Sequence, residues 1–237
     1  MAFEVLLWLL RIVLGRLVHA YLRPLVHAEQ PVPEGGAIVA ANHPTVVDGV
    51  LLGLWAPRPV RFLVAGHLFD NPFMGWFLRW TRCIPVGRGG ALERAEEALR
   101  EGDLLGIFPE GDITGREALG PLHTGVARLA LKTGAPVVPL GIAGTLSAFP
   151  PRTLFLRSGP VVLEVGEPIR FDPQEPEPDA VQAALLRIGE LLDRQAARAR
   201  AALPAAPRPG RLGVWLAGLV VVPVACLLRA SEPYDPA

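Results

Sequence analysis

His43 and Asp48 stand five residues apart in the run Asn42-His43-Pro44-Thr45-Val46-Val47-Asp48. A histidine with a carboxylate to orient it is a general base poised near neutral pH. No serine or cysteine adjoins the pair to act as a nucleophile, so the base would activate a hydroxyl that the substrate brings. On a continuous helix, residues five apart diverge by about 140° and do not meet. Pro44 suits the first helical position, which puts Asn42 or His43 at the N-cap and Asp48 one turn in. From the cap, the His43 ring can fold back so that Asp48 accepts the Nδ1 proton and Nε2 stays free. The same residues also read as a capping Asn-His-Pro turn with an aspartate near the positive helix end.

Downstream comes Phe108-Pro109-Glu110-Gly111. It follows a buried-type run, 104–107, and a carboxylate at the carboxyl end of a sheet strand lies where open α/β sheets place ligands. Pro109 restricts the approach of the chain, and Gly111 lets backbone come close to a ligand. Glu110 is unsuited to gripping a phosphate, but it can accept from a substrate hydroxyl or hold an arginine in place. It can equally be a glutamate at a turn. Gly87-Arg88-Gly89-Gly90 sets an arginine among glycines ahead of a helix start. Exposed N–H groups and a guanidinium make a phosphate cradle there; a turn with a solvated arginine is the plainer reading. Lys132 is the sole lysine among 23 basic residues, so any fixed anion contact falls to arginine. His43, His67 and His123 are scattered without ligand spacing, so no metal site is expected. Cys83 and Cys226 are too few and too distant for a disulfide framework or a thiolate site, and are expected to be inert.

These residues need a scaffold, and the chain alternates strand-like and helix-like segments. Strands are expected at 37–41, 60–65, 84–86, 103–108 and 137–142, with helices at 45–55, 71–82, 91–101 and 124–132. Gly102 and Gly134 serve as stops, and Asn71-Pro72 as a start signal. Such alternation implies an α/β domain with a mostly parallel mixed sheet covered by helices on both faces. Residues 154–156 and 161–165 flank Ser158-Gly159-Pro160 and read as an antiparallel addition at the edge. Behind an acidic, proline-rich linker, the helix from 179 to about 202 carries Val181, Ala184, Leu185, Ile188, Leu191 and Leu192 on one stripe.

The two ends are oily, and hydrophobic residues make up 51% of the chain. In residues 3–23, Glu4, Arg11, Arg16, His19 and Arg23 fall in an arc of about 140°, opposite a broad apolar face. Two arginines at the centre of a spanning helix would each cost roughly 2.5–3.5 kcal/mol. An amphipathic helix lying in the membrane interface avoids that cost; a core-packing helix is the alternative. Glu4, Arg11 and Arg16 also speak against a signal peptide, and the catalytic part is expected at the cytoplasmic face of the cell membrane. Residues 212–228 contain no charged residue and would extend about 25 Å as a helix, a hydrophobic C-terminal helix and candidate anchor. The expected division is an interfacial helix at 1–25, a catalytic domain at 26–202 and a linker with a hydrophobic segment at 203–237. The formal net charge is zero, so charge gives no argument for nucleic acid.

Taken together, Asn42–Asp48, Ile84–Arg88, Phe108–Gly111 and Val137–Gly141 resemble the four ordered blocks of the glycerolipid acyltransferase family, typified by 1-acyl-glycerol-3-phosphate acyltransferases. The similarity covers roughly residues 26–171. It implies His43 and Asp48 as the catalytic pair and Arg88, Glu110 and Gly111 as substrate-binding residues. Residues 203–237 are not a standard part of that family's domain, and three departures fall within it. Asp112 stands where the third block has threonine or serine, His123 where relatives often have lysine, and the second block lacks aromatic residues. A second carboxylate beside a phosphate is repulsive unless Asp112 turns away or pairs with Arg116.

The resemblance implies a single transfer without an acyl-enzyme and without a cofactor. His43 deprotonates the free hydroxyl of a lysophospholipid, whose oxygen attacks the thioester of acyl-CoA or acyl-carrier protein. The partners are thus membrane lipid, lysophospholipid and acyl donor. Transfer to another lysolipid or to glycerol-3-phosphate is the nearer alternative, and a non-catalytic membrane-binding protein the more distant one. A lipase is disfavoured because Ser147 and Ser158 lack a Gly-x-Ser-x-Gly setting.

Overall fold

The computed structural model describes residues 13–150, with 14, 17 and 21 excepted, and residues 157–204. The strands are β1 (Leu25–Ala28), β2 (Ala37–Ala41), β3 (Val60–Ala65), β4 (Ile84–Val86), β5 (Leu104–Ile107), β6 (Val137–Ala143) and β7 (Val162–Val165). They form one sheet in the order β1-β7-β6-β2-β5-β3-β4. β6, β2, β5, β3 and β4 run parallel. β7 is antiparallel to β6, with β1 parallel to β7.

The sheet is mixed and mostly parallel, as the alternation predicts, but β7 is not its edge. β1 lies outside it and was not expected as a strand. All four of its residues are exposed, so no buried face marks it in the sequence; main-chain pairing with β7 defines it. The expected strand at 154–156 lies outside the described residues.

The helices are α1 (Val47–Trp55), α2 (Pro72–Trp80), α3 (Ala91–Arg100), α4 (Gly125–Thr133), α5 (Thr145–Ala148) and α6 (Pro178–Ala201), with a 3₁₀ turn at Gly66–Asp70. β2 is buried along its whole length. Its alternation divides the core into two layers. Ala37, Val39 and Ala41 pack with Val47, Leu51 and Leu52 of α1. Ile38 and Ala40 pack with Ala98 and Leu99 of α3, Leu129 of α4, and Ile188 and Leu192 of α6. Helices therefore cover both faces.

Two glycines set how closely these layers approach. A Cβ on Gly106 would lie 2.5 Å from the Phe62 ring, its register partner on β3. A Cβ on Gly141 would lie 2.2 Å from the Gln195 main chain, so α6 rests directly on β6.

The described residues between 13 and 22 are helical. Val18 and Leu22 are buried in the layer that includes α1. Leu22, which helical spacing puts among the polar residues, is only 2% exposed because that side of the helix lies on the domain; Val13 is 59% exposed. Most of the expected interfacial helix (residues 1–12) and the hydrophobic segment at 212–228 lie outside the described residues. Among those described, no helix is long and apolar enough to cross a membrane.

Candidate active site

The carboxyl ends of the parallel strands share one edge of the sheet, and Asn42, His43, Gly66, Gly87, Arg88 and Phe108 follow directly from them. The turn after β2 does not have the expected cap. α1 begins at Val47 with Val46 at the N-cap and no side-chain cap bond, so neither Asn42 nor His43 caps it. The Asn42 side chain is committed elsewhere. Its Nδ2 donates to the Ile142 carbonyl at 2.9 Å, and its Oδ1 accepts from the Ile142 amide at 2.7 Å. That pair ties the end of β2 to β6.

Asp48, in the first turn of α1, instead ties down the loop before the helix. Its Oδ2 accepts the Thr45 amide, from the residue before the N-cap, at 2.6 Å. The same oxygen lies 3.1 Å from His43 Nδ1, and Oδ1 takes the Thr45 hydroxyl at 3.3 Å. Asp48 is fully buried, while the His43 side chain keeps 16% of its surface exposed. The loop held by Asp48 lets two residues five apart meet. Among the described residues the carboxylate contact of the His43 ring is through Nδ1, and in the tautomer that places the proton there Nε2 is the basic nitrogen. The His43 ring stacks on Phe108, with centroids 3.9 Å apart and planes 15° apart. Phe108 in turn lies parallel to Phe62, 6.1 Å away. Gly106 makes room for Phe62, so an aromatic stack rising from the sheet sets the tilt of the imidazole.

Glu110 is buried, with both oxygens on main-chain amides. Oε1 accepts from His43 N at 2.8 Å and Oε2 from Gly120 N at 2.7 Å. The loop after it returns to the same turn: Thr114 N and Gly115 N donate to the carbonyls of His43 and Pro44 at 3.0 and 3.2 Å. Gly111 has φ +80°, a conformation glycine adopts readily, and a Cβ there would lie 2.7 Å from the His123 ring. His123 is thus placed beside Gly111. Asp112 is exposed to solvent, and the described structure places no ion pair between it and Arg116. Arg116 instead lies against Gly120, where a Cβ would meet its Nη2 at 2.6 Å and Glu110 Oε2 at 2.9 Å.

Arg88 follows β4, three strands from β2 in the sheet, a separation of about 14 Å. Its guanidinium pairs with Asp70 of the 3₁₀ turn. A Cβ on Gly66 would lie 2.8 Å from Arg88 Cγ, so the bare backbone of that turn is what the stem crosses. The structure brings His43, Asp48, Glu110 and Gly111 into one hydrogen-bonded cluster and sets Arg88 at the rim. Phe108, Thr45 and Thr114 complete the cluster; the first two lie within the motifs, but the sequence assigns them no role. Their roles depend on stacking and loop closure, which no spacing encodes. Among the described residues no group of three or more histidine, cysteine or acidic side chains could hold a metal. Cys83 sits against Thr81, and burial pushes its thiol pKa up.

The family model described as Acyltransferase matches residues 23–143. A 1-acyl-sn-glycerol-3-phosphate acyltransferase of Bacillus subtilis (strain 168) is 30% identical over 141 residues, covering 57% of this chain and 68% of that protein. The chloroplastic 1-acyl-sn-glycerol-3-phosphate acyltransferase BAT2 of Brassica napus is 29% identical over 126 residues, covering 51% of this chain and 36% of that protein. The crystal structure of the 1-acyl-sn-glycerophosphate acyltransferase of Thermotoga maritima shares the fold, with a TM-score of 0.64 at 24% identity over 77% of this chain and 74% of that one.

Proposed function

Because the chain belongs to the acyltransferase family, we propose that it moves a fatty acyl group from a thioester of coenzyme A or acyl-carrier protein to the free sn-2 hydroxyl of 1-acyl-glycerol-3-phosphate. The product is phosphatidic acid. The observation that carries this reading is the contact of His43 Nδ1 with buried Asp48 at 3.1 Å. It orients the ring and stabilises the imidazolium that forms as Nε2 takes the hydroxyl proton. The substrate oxygen attacks the thioester carbonyl, and as the tetrahedral intermediate collapses the imidazolium returns the proton to the departing thiolate. No acyl-enzyme forms.

The amides of His43 and Thr45 are occupied by Glu110 and Asp48, so neither is a donor for the oxyanion. Glu110 acts by holding the catalytic turn against the loop 111–120. Arg88 is the phosphate ligand: a guanidinium held by one carboxylate still has donors to offer. From the rim it must extend inward to share a small acceptor with His43.

General-base assistance of this kind is worth about 10²–10⁴-fold. The test is acyl transfer by full-length protein, with labelled acyl-CoA and acyl-carrier protein offered against a panel of lysolipids. His43→Ala should lose at least about a hundredfold in rate, while Cys83→Ala stays near wild type. Undiminished turnover by His43→Ala would sink the mechanism. Preference for another lysolipid would keep the chemistry but displace Arg88 as the phosphate ligand. An absence of transfer to any acceptor would remove the catalytic reading.

A further inference from the structure

Outside the site, α2 packs on the 3₁₀ turn through one apolar stripe and carries a second. Met74 and Leu78 face inward and pack with Phe69. Phe73, Trp76 and Trp80 recur at i, i+3 and i+7, within an arc of about 60°. Their rings form a ladder, with centroids 6.4 Å apart from Phe73 to Trp76 and 6.1 Å apart from Trp76 to Trp80. Phe73 is 57% and Trp76 60% exposed. Two large aromatic side chains side by side in water mark an interaction surface more often than chance exposure.

We propose that this ridge is a membrane-docking surface, distinct from the N-terminal segment, that seats in the interface of an anionic bilayer. The inference rests on the acyltransferase reading for its purpose but not for its evidence, which is local. Residues 71–88 contain Arg79, Arg82 and Arg88 and no carboxylate. Two of these are paired with flanking acids, Arg88 with Asp70 and Arg82 with Glu101, so Arg79 is the cation of this segment for which the described residues show no acidic partner. Arg79 is fixed beside the ridge by its bond to the Phe69 carbonyl at 3.0 Å and by its position over the Phe69 ring. Tryptophan and phenylalanine beside an arginine that has no acidic partner among the described residues match a layer of anionic headgroups over acyl chains. The ridge also begins three residues after Asp70, the partner of Arg88, at the edge of the sheet that carries His43. A lysolipid whose phosphate met Arg88 would therefore have its chain beside the bilayer that the ridge enters.

The test compares full-length wild type with the double variant Phe73→Ser/Trp76→Ser. Co-sedimentation uses vesicles of phosphatidylcholine alone or mixed with phosphatidylglycerol. Turnover uses either a short-chain lysophosphatidic acid in monomeric solution or a long-chain one embedded in vesicles. The double variant should bind mixed vesicles roughly tenfold less tightly or worse. It should lose a similar factor on the embedded acceptor while acylating the monomeric one at the wild-type rate. Phe73→Leu/Trp76→Phe should retain most of the binding. Unchanged vesicle binding in the serine variant would overturn the proposal, as would an equal loss on the monomeric acceptor, which would mark a damaged domain. If wild type transfers no acyl group, the acyltransferase reading fails, but the binding comparison still decides the docking surface.

Discussion

At the scale of the residue, the contacts of Glu110 separate two roles that the motif alone cannot. Each carboxylate oxygen receives one main-chain amide, from His43 and from Gly120. Glutamine at this position keeps one acceptor and points an NH₂ at an N–H, leaving a buried donor unsatisfied at about 1–3 kcal/mol. Glu110→Gln should therefore lower kcat by about tenfold or more with a smaller change in the acceptor's KM, since the catalytic turn is displaced while the acceptor's own contacts remain. Steady-state kinetics on vesicle-borne acceptor checks this; a raised KM at unchanged kcat would make Glu110 a substrate ligand instead. The contact of His43 with Asp48 was legible at this scale, because the motif's proline frees His43 from helical geometry. Phe108 was not: its stacking on His43 requires Phe62 and Gly106 from two neighbouring strands.

At the scale of the element, glycines decide how layers fit. A Cβ at position 141 would lie 2.2 Å from the Gln195 carbonyl group. Gly141→Ala must push α6 off β6 and should destabilise the domain by about 1–3 kcal/mol, the usual range for overpacking. Gly49→Ala, inside α1 and 3.8 Å from the nearest Phe108 atom, should do the opposite. There alanine fits and raises helix propensity, by up to about 1 kcal/mol. Urea unfolding of the two variants reads the contrast, and equal effects would refute the close-packing argument. Helix starts show what element-level patterns miss. Asn71-Pro72 opens α2 as its sequence signal predicts, with Asn71 accepting from Phe73 and Met74. The same logic misplaced the cap of α1, because Asn42 is spent on β6 and Asp48 reaches back to Thr45.

At the scale of the whole molecule, the described helical residues before β1 are tied into the core through Val18 and Leu22. Leu22→Ala should cost about 2–5 kcal/mol, as deleting a buried leucine does elsewhere. The loss is measured by chemical denaturation; a change under about 0.5 kcal/mol would show that this turn does not belong to the cooperative unit. With one side of that helix on the domain, the polar arc read from the sequence is not a purely solvent-facing one.

Period-two and period-3.6 patterns were enough to read from sequence a mostly parallel α/β sheet with helices on both faces, because burial of each central strand and helix writes itself into local hydrophobic spacing. The family likeness was legible for a different reason, because it is carried by short ordered motifs, and the first of these also put His43 and Asp48 forward as a pair, which the fold brings to 3.1 Å. Tertiary structure alone decided the rest. β1 joined β7 without a buried face, the Asn42 side chain was spent on Ile142 of β6, and Glu110 turned to two amides far apart in sequence. Those choices depend on which distant main-chain groups need partners once the chain has collapsed, and no local period records that need.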